Sequence, residues 1–552
     1  MKRISWSVCQ LLRAGGIWAC DDDGGVAGAA DAGGPGAVID ERGGLVLADE
    51  GFGDGASRLV YLEQGWNPAE TQWFYHADQG STLLPRCVLL NLEQPTGQGR
   101  FLDPAYLVRF RFLNQRPGPG NVHGLPVGFA EHGDHIGLTC AACHTSQIEY
   151  GGVAVRIDGG AAALDMDGFL EALQAAMEAT LADEAKLGRY LDDAAEGPPP
   201  GMDARRADAK AELEATVAWF QDYNRVNDSA TKEGFARIDA VGRIVNQVIR
   251  LTSGSENSVE PNAPNSLPVL WDAPRHDYVQ WSGFSTNAGI GSLARNAGEV
   301  VGVFGQVKVE AWQDELETLR PYFSSIEAQH LTDMEAQLWR LQSPVWPEDV
   351  LPPIDRALAE RGAAIYQREC VDCHAIMDRA DEARRVRAQV YGVDVIGTDP
   401  LAAVNFADAV IPTGLLEGSV TPEGGRFGPE APASALLGTL VIRSLFAQPT
   451  ALTAVSLYAN RYGLEDQEKQ GDFTPDSEGA PTASYKAYKA RPLNGVWASA
   501  PYLHNGSVPS LYDLLLPVDQ RPVTFKVGRW AFDPVKVGPS QDGDGPFVVD
   551  TR

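Results

Sequence analysis

The chain has 552 residues, of which 44% are hydrophobic and 22% are charged, so a large folded core is expected and global disorder is excluded. Asp and Glu (74) outnumber Lys and Arg (45), which gives a formal net charge of −29. This charge argues against nucleic acid as a partner, because phosphate binding needs a basic face. The sequence has no run of 18 apolar residues, so we expect no transmembrane span.

Residues 1–44 are predicted to form an export signal followed by a flexible tether. Two basic residues precede a short apolar stretch that ends before Cys20, and a segment rich in Gly, Ala and Asp follows. This order is similar to a bacterial lipoprotein signal with Cys20 as the lipidated residue, although Arg13 and Trp18 depart from that pattern. We therefore expect a periplasmic, cell-surface or secreted protein.

The predicted fold class is mainly α with long irregular loops. Residues 45–135 contain many glycines, prolines and aromatics and show no signal for a long helix. The segments further along that favour helix share apolar residues at three- and four-residue spacing or a high content of strong helix formers. They are 165–188, 203–224, 233–252, 326–342 and 354–370.

The segment 253–290 combines loop-forming residues with aromatic ones. It is rich in Pro, Asn and Ser but also carries Trp271, Tyr278, Trp281 and Phe284. A loop with so many large apolar side chains is unfavourable in free solvent. We predict that this aromatic loop wraps a buried site.

Two copies of the motif Cys-x-x-Cys-His (CxxCH) carry the chemistry. They comprise Cys140, Cys143 and His144 in the first copy and Cys370, Cys373 and His374 in the second. In a c-type cytochrome the two thiols add to the vinyl groups of haem and the histidine binds the iron. Zinc would need four ligands close together, whereas the two pairs lie 230 residues apart (370 minus 140). A redox dithiol would not need the trailing histidine.

The motifs therefore favour two covalently bound haem c groups, one in each of two cytochrome c-like haem domains. We place an N-terminal haem domain at 45–345, with the aromatic loop as an insertion, and a C-terminal cytochrome c domain at 346–552. The boundary follows the proline-rich linker "SPVWPEDVLPP".

The ligand on the second face of each iron decides what a haem does, since an open face binds oxygen or peroxide and a closed one carries electrons. His504, in "APYLHNGSVPSL", is the candidate second ligand of the C-terminal haem, because Met377 lies too close to the second motif. No histidine is singled out for the N-terminal haem. The possible occupants are His123, His132, His135 and His276.

Three stretches resemble the dihaem cytochrome c peroxidase superfamily, and the first two favour its rubber oxygenases, secreted dihaem dioxygenases that cleave poly(cis-1,4-isoprene). They are 137–160, 267–284 and 491–515. The resemblance implies that His144 is the proximal ligand of the catalytic N-terminal haem. It also implies that His374 and His504 are the axial ligands of the C-terminal haem, which transfers electrons.

The same resemblance implies an oxygen-binding pocket with aromatic side chains. Leu270 and Trp271 match an apolar–Trp pair near the catalytic haem, and Phe284 is the candidate for a distal phenylalanine. A dry, aromatic pocket suits an apolar substrate.

Polar residues bear on the choice between oxygenase and peroxidase. Arg275, His276 and Asp277 are candidates for the base and charged group that split peroxide, but a surface turn is the favoured interpretation of this "RHD" sequence.

Three functions follow from these alternatives. The first is an oxygenase that uses dioxygen on polyisoprene or another apolar alkene, whether polymer or small molecule. The second is a peroxidase that reduces hydrogen peroxide with electrons from a small redox protein. The third is a non-enzymatic dihaem electron carrier.

Overall fold

The computed structural model describes residues 41–195, 201–311, 320–421, 424–464 and 486–552. The predicted export signal and Cys20 lie outside the described residues.

The helices of the described residues are numbered in chain order. They are α1 Pro68–His76, α2 Arg86–Asn91, α3 Pro104–Leu107, α4 Cys140–Cys143, α5 Met166–Ala182, α6 Glu184–Ala194, α7 Met202–Asn227, α8 Ala240–Thr252, α9 Gly291–Gly302, α10 Ala328–Leu338, α11 Arg356–Glu369, α12 Val393–Ile396, α13 Leu401–Asp408, α14 Ala433–Leu445, α15 Pro449–Tyr462 and α16 Leu511–Leu514.

The strands are short and form two- and three-stranded sheets. They are β1 Arg58–Tyr61, β2 Leu84–Pro85, β3 Phe129–His132, β4 His135–Leu138, β5 Thr145–Tyr150, β6 Val153–Asp158, β7 Arg237–Ile238, β8 Asn265–Ser266, β9 Tyr278–Val279, β10 Ser285–Thr286, β11 Gln389–Gly392, β12 Val410–Pro412, β13 Glu430–Pro432, β14 Ala487–Ala490, β15 Thr524–Val527, β16 Phe532–Asp533, β17 Gly538–Pro539 and β18 Phe547–Asp550.

All five predicted helical segments contain helices. Helices α7, α8, α10 and α11 lie within or close to four of them, and the segment 165–188 is divided into α5 and α6. The division falls at Asp183, whose carboxylate accepts hydrogen bonds from the first backbone N–H groups of α6, Ala185 and Lys186. An aspartate in this position starts a new helix.

The mainly α prediction is confirmed only in part, because the fold is mixed. The first CxxCH motif lies between two β-hairpins, with β3 and β4 before it and β5 and β6 after it. β1 adds to β6 as a parallel strand. The hairpin of β5 and β6 has a sequence signal, since Gly151 and Gly152 separate two six-residue runs rich in β-branched and aromatic residues.

Apolar packing crosses the predicted domain boundary at 345/346. One core cluster joins α8, α9 and α10 with α14 and α15, for example through Leu293 and Leu440, which are both fully buried. A second cluster joins Trp271 and Leu338 with Ala498 and Trp530. The two halves therefore share cores, and the boundary itself stays a prediction.

Within the described residues no single helix is long and apolar enough to cross a membrane. The bent pair α14 and α15, with 108° between its helices, meets the length and composition criteria only as a pair.

Two buried carboxyl groups lie next to each other at β5, the strand that follows the first motif. Glu50 and Glu149, on β5, are 2% and 6% exposed. Burial, with a contribution from the neighbouring Glu149, raises the pKa of Glu50 from 4.5 to about 8. A carboxyl whose pKa is raised by folding stabilises the fold while it is protonated, and this contribution is lost as the pH rises through the folded-state pKa.

We therefore predict that Glu50→Gln makes the protein increasingly more stable than the wild type as the pH rises from 4.5 to about 8. Urea unfolding followed by far-UV circular dichroism at several pH values in this window measures the difference. Glu63→Gln, at an exposed position, is the matched control and should track the wild type. A stability difference between Glu50→Gln and the wild type that does not change with pH would contradict the prediction.

Candidate functional site

The first CxxCH motif forms a single helical turn. Thr139 caps α4 by accepting a hydrogen bond from the backbone N–H of Ala141 (3.3 Å), and the backbone N–H of His144 donates to the carbonyl of Cys140 (2.9 Å). Residues three apart in a helix lie on the same face. The turn therefore presents the thiols of Cys140 and Cys143 together, with the imidazole of His144 next to them.

The imidazole of His144 is oriented by a distant carbonyl. Its Nδ1 donates to the backbone oxygen of Pro268 (2.7 Å). This bond fixes the tautomer and leaves the lone pair of Nε2 for a metal. Burial lowers the pKa of His144 to about 4, so the ring is neutral at physiological pH and suited to bind iron.

The second motif repeats this arrangement after the longer helix α11. The backbone N–H of His374 donates to the carbonyl of Cys370 (2.8 Å), and its Nδ1 donates to the backbone oxygen of Arg491 (2.8 Å). The hydroxyl of Tyr366 donates to the carbonyl of His374 (2.6 Å). In both His144 and His374, Nδ1 is thus engaged in a hydrogen bond to a backbone carbonyl and Nε2 is available to bind a metal.

His504 lies in a tight turn closed by hydrogen bonds between Tyr502 and Val508. Gly506 enables this turn, with φ +64, and a side chain there would collide with Ser266 and Arg237. The imidazole of His504 stacks on the ring of Tyr488 (4.0 Å between centroids).

The Nε2 atom of His504 fits an axial ligand. The residue is 6% exposed, and Nε2 is buried without a hydrogen-bond partner among the described residues. Buried polar atoms nearly always have a partner, so such an atom needs an explanation. Burial lowers the pKa of His504 to about 4, which keeps the ring neutral and able to bind a metal.

The surroundings of both motifs suit a large apolar group. Cys140, Cys143 and His144 keep some accessible surface, yet burial is the main cause of the shift in each of their pKa values, with Cys143 raised to about 12. Apolar clusters pack against both cysteines: Cys143 lies against the one that includes Phe129, and Cys140 against the one that includes Trp271. At the second motif, α11 has no buried residue, and Leu358 and Ile365 are 58% and 52% exposed. The residues present therefore fit covalently attached haem.

Trp271 lies where the segments that hold the two proximal histidines meet. It is 1% exposed, and its Nε1 donates to the carbonyl of Asn494 (2.9 Å). Trp271 closely follows Pro268, and Asn494 closely follows Arg491. Its predicted place in the oxygen-binding pocket stays a prediction.

Part of the aromatic loop lies near His504, and that the loop wraps a buried site stays a prediction. Phe284 packs on Phe406 of α13 (4.5 Å between centroids), and the ring of Trp281 lies 6.4 Å from that of His504. A distal role for Phe284 at the first motif stays a prediction.

The preferred interpretation of residues 275–277 as a surface turn was wrong. Arg275, His276 and Asp277 are 4%, 2% and 9% exposed. Arg275 donates to the carbonyls of Glu382 (2.6 Å) and Trp339 (2.8 Å), while Asp277 accepts from the backbone N–H groups of Tyr278 and Ala388. Arg275 and Asp277 are thus engaged in joining distant backbone segments, which explains their burial.

The histidines considered as second ligands of the first haem have other contacts. His132 bonds to Asp78 (2.8 Å) and His135 to Asp134 (2.7 Å), while His123 lies 3.4 Å from Glu131. Nδ1 of His276 lies 3.2 Å from the ammonium group of Lys489.

The structure adds a buried polar cluster at the first motif that the sequence did not reveal. The charge of Glu299 raises the pKa values of both Cys140 and Cys143, so this carboxyl lies within electrostatic range of both thiols. The side-chain amide of Gln280 donates to Glu299 (2.6 Å), and burial raises the pKa of Glu299. In the sequence of α9 nothing separates Glu299 from a solvent-facing residue, and only the fold brings it to the thiols.

An ion pair on the same helices completes this cluster. Arg295 of α9 pairs with Glu335 of α10, and the side-chain amide of Asn296 donates to Glu335 (2.8 Å). The charges of Arg295 and Glu335 both influence the thiol of Cys140.

Comparison with known proteins agrees with this description. A family model described as "RoxA-like, cytochrome c-like" matches residues 487–526, which include His504. The chain is 32% identical to the uncharacterized protein y4iJ of Sinorhizobium fredii, with 90% of this chain and 87% of y4iJ covered. This chain belongs to the y4iJ family. A second uncharacterized protein of the same organism, y4iM, is 30% identical over 199 residues, which is 34% of this chain and 36% of y4iM.

The family match supports the resemblance to the rubber-oxygenase-like dihaem proteins for the C-terminal region, residues 487–526. This member of the y4iJ family has a cytochrome c-like region at its C-terminal end, consistent with haem c binding and with a haem oxidoreductase.

We predict that His504→Ala opens one iron face. In the reduced wild type, carbon monoxide should change the absorption of the N-terminal haem only, whereas the variant should bind it at both haems, and added imidazole should restore the spectrum of the C-terminal haem. His135→Ala, which removes an imidazole bonded to the exposed Asp134, is the control. A variant that holds both haems and has the wild-type spectrum would show that His504 is not a ligand.

Proposed function

We propose that this protein is an extracytoplasmic dihaem c-type oxidoreductase that binds dioxygen at its N-terminal haem and cleaves an apolar alkene such as polyisoprene. The observation that carries the proposal is the difference between the two motif sites. His504 offers a buried, unpartnered Nε2 for the C-terminal iron. The four candidates for the N-terminal iron each lie beside a charged side chain: Nδ1 of His132, His135 and His276 contacts Asp78, Asp134 and Lys489, and His123, whose Nε2 also lacks a hydrogen bond, lies 3.4 Å from Glu131. An iron with one free face is the one that reacts.

The N-terminal haem would supply an iron that binds dioxygen and exchanges electrons. The protein's part is to hold this group and keep water away. Pro268 fixes the ring of His144, and the side-chain oxygen of Gln79 accepts a hydrogen bond from the backbone N–H of Cys140 (3.2 Å). Phe129 and Phe304, which belong to the core cluster packed against Cys143, add apolar surface beside the site.

The C-terminal haem would pass electrons to or from the first one. The contact of Trp271 with Asn494 and that of Arg491 with the carbonyl of Val269 (3.4 Å) join the two proximal segments directly. A short, packed connection of this kind would hold the two haem-binding segments at a fixed separation.

A dihaem peroxidase is the second candidate, and the buried cluster of Glu299 and Gln280 favours it. Splitting the O–O bond of peroxide consumes a proton, which a protonated carboxyl near the haem could donate. Burial raises the pKa of Glu299, so this carboxyl keeps its proton to higher pH than an exposed one. Electrons would come from a small redox protein, and the net charge of −29 would attract a basic one.

Polyisoprene latex tests the oxygenase proposal. Purified protein with both haems attached should release carbonyl-ended cleavage products under oxygen and none under argon. If no such products form while the haem content is complete, polyisoprene is not the substrate.

Peroxide turnover distinguishes the two candidates. As an oxygenase, the protein should consume hydrogen peroxide only at background rate with any of several reduced cytochromes, and Glu299→Gln should change nothing. As a peroxidase, the protein should reduce hydrogen peroxide well above the background rate. Glu299→Gln should then lower kcat by about 100-fold or more, the usual contribution of general acid–base catalysis. Glu310→Gln, at an exposed position, is the matched control.

A further inference from the structure

Two basic side chains are enclosed between the motif sites. Lys489 belongs to β14 and Arg491 follows it, so both point to the same side of the extended chain. Both keep accessible surface, yet burial is the main cause of the lowered pKa of each, to about 10 for Arg491. Both side chains contact the aromatic loop, Lys489 at Tyr278 and Arg491 at Val269.

These two cations have only uncharged hydrogen-bond partners among the described residues. The ammonium group of Lys489 donates to the carbonyl of Tyr278 (3.0 Å) and lies 3.2 Å from Nδ1 of His276. The guanidinium of Arg491 donates to the carbonyl of Val269 (3.4 Å).

The nearest acidic groups are engaged elsewhere. Asp272 accepts from Arg384 (2.6 Å) and from Asn494 (2.7 Å), and Asp277 accepts from two backbone N–H groups. The charge of Arg491 also lowers the pKa of Lys489, because two like charges repel one another. Charges buried in this way are costly unless an anion joins them.

The chain around these cations runs past the edge of the C-terminal haem site. Tyr488 stacks on His504, and the carbonyl of Arg491 holds His374. Two axial ligands lie on opposite faces of a haem, so residues 488–491 pass from one face to the other along its rim. Arg491 also reaches Val269, next to the Pro268 carbonyl that holds His144. The cations thus lie between the two sites.

We propose that Lys489 and Arg491 receive the propionate carboxylates of haem. Propionates are the anionic groups of the cofactor and lie on its rim, where the chain places the two cations. The inference rests on the two haems of the proposed function. It assigns Lys489 and Arg491 a role in positioning haem and in setting its reduction potential.

Neutral variants test the proposal by spectroelectrochemistry. Lys489→Gln and Arg491→Gln should each shift the midpoint potential of at least one haem to a more negative value, because loss of a nearby positive charge favours the ferric state. The propionate bending modes in the resonance Raman spectrum should shift in the same variants. Lys489→Arg and Arg491→Lys keep the charge and should stay close to the wild type.

Lys486→Gln is the control, since it removes the same charge three residues before Lys489 in an exposed pair with Asp408 (2.8 Å). Haem content is measured first by mass spectrometry. Unchanged potentials and Raman modes in neutral variants with two haems would overturn the inference and leave the proposed function intact. A wild type with one haem would instead overturn the proposed function. If Lys489→Gln does not fold, Arg491→Gln compared with Arg491→Lys decides the question.

Discussion

The two hydrogen bonds from Nδ1 of the proximal histidines to backbone carbonyls are the constraint on which the site depends. His144 bonds to Pro268 across 124 residues of sequence, and His374 bonds to Arg491 across 117 residues. A CxxCH turn can place two thiols by local geometry alone, but it does not fix the rotation of the imidazole. The distant carbonyl does, so each site is complete only when remote parts of the chain have packed.

Asp272 holds these remote parts together. This buried carboxylate lies in the aromatic loop, close after Pro268. It binds Arg384 of the segment after the second motif and Asn494 of the segment after Arg491. Because Asp272 is 3% exposed, its ion pair with Arg384 is poorly screened by solvent. Loss of either partner would leave a buried charge without compensation. The carboxylate of Asp272 thus links the segment that holds His144 to the segment that holds His374.

The parts of this structure that sequence could predict are those with local causes. Motif spacing marked the cysteines and proximal histidines, and helical periodicity marked α5 to α8. His504 could be singled out from the sequence because the turn that contains it has a distinctive sequence. By contrast, Glu299 approaches the thiols only through the packing of α9, and Arg275 is buried only because the carbonyls of Glu382 and Trp339 meet it. No short-range pattern encodes such contacts. A domain boundary is harder still to predict from sequence, because α14 and α15 pack into a core formed with α8 to α10.

The charge balance of the two regions differs, and this difference bears on their chemistry. At the first motif, Arg295 and Glu335 neutralise each other, and burial favours the protonated form of Glu299. That region is polar but close to neutral, so it can accommodate an apolar substrate and still offer a hydrogen-bond donor. Lys489 and Arg491 instead add positive charge between the two sites, since the carbonyl of Arg491 holds His374 and the charge of Arg295 lowers the pKa of Lys489. A cation near a haem favours its reduced state. These two cations would therefore raise the reduction potential of a haem that they border, whichever substrate the first site accepts.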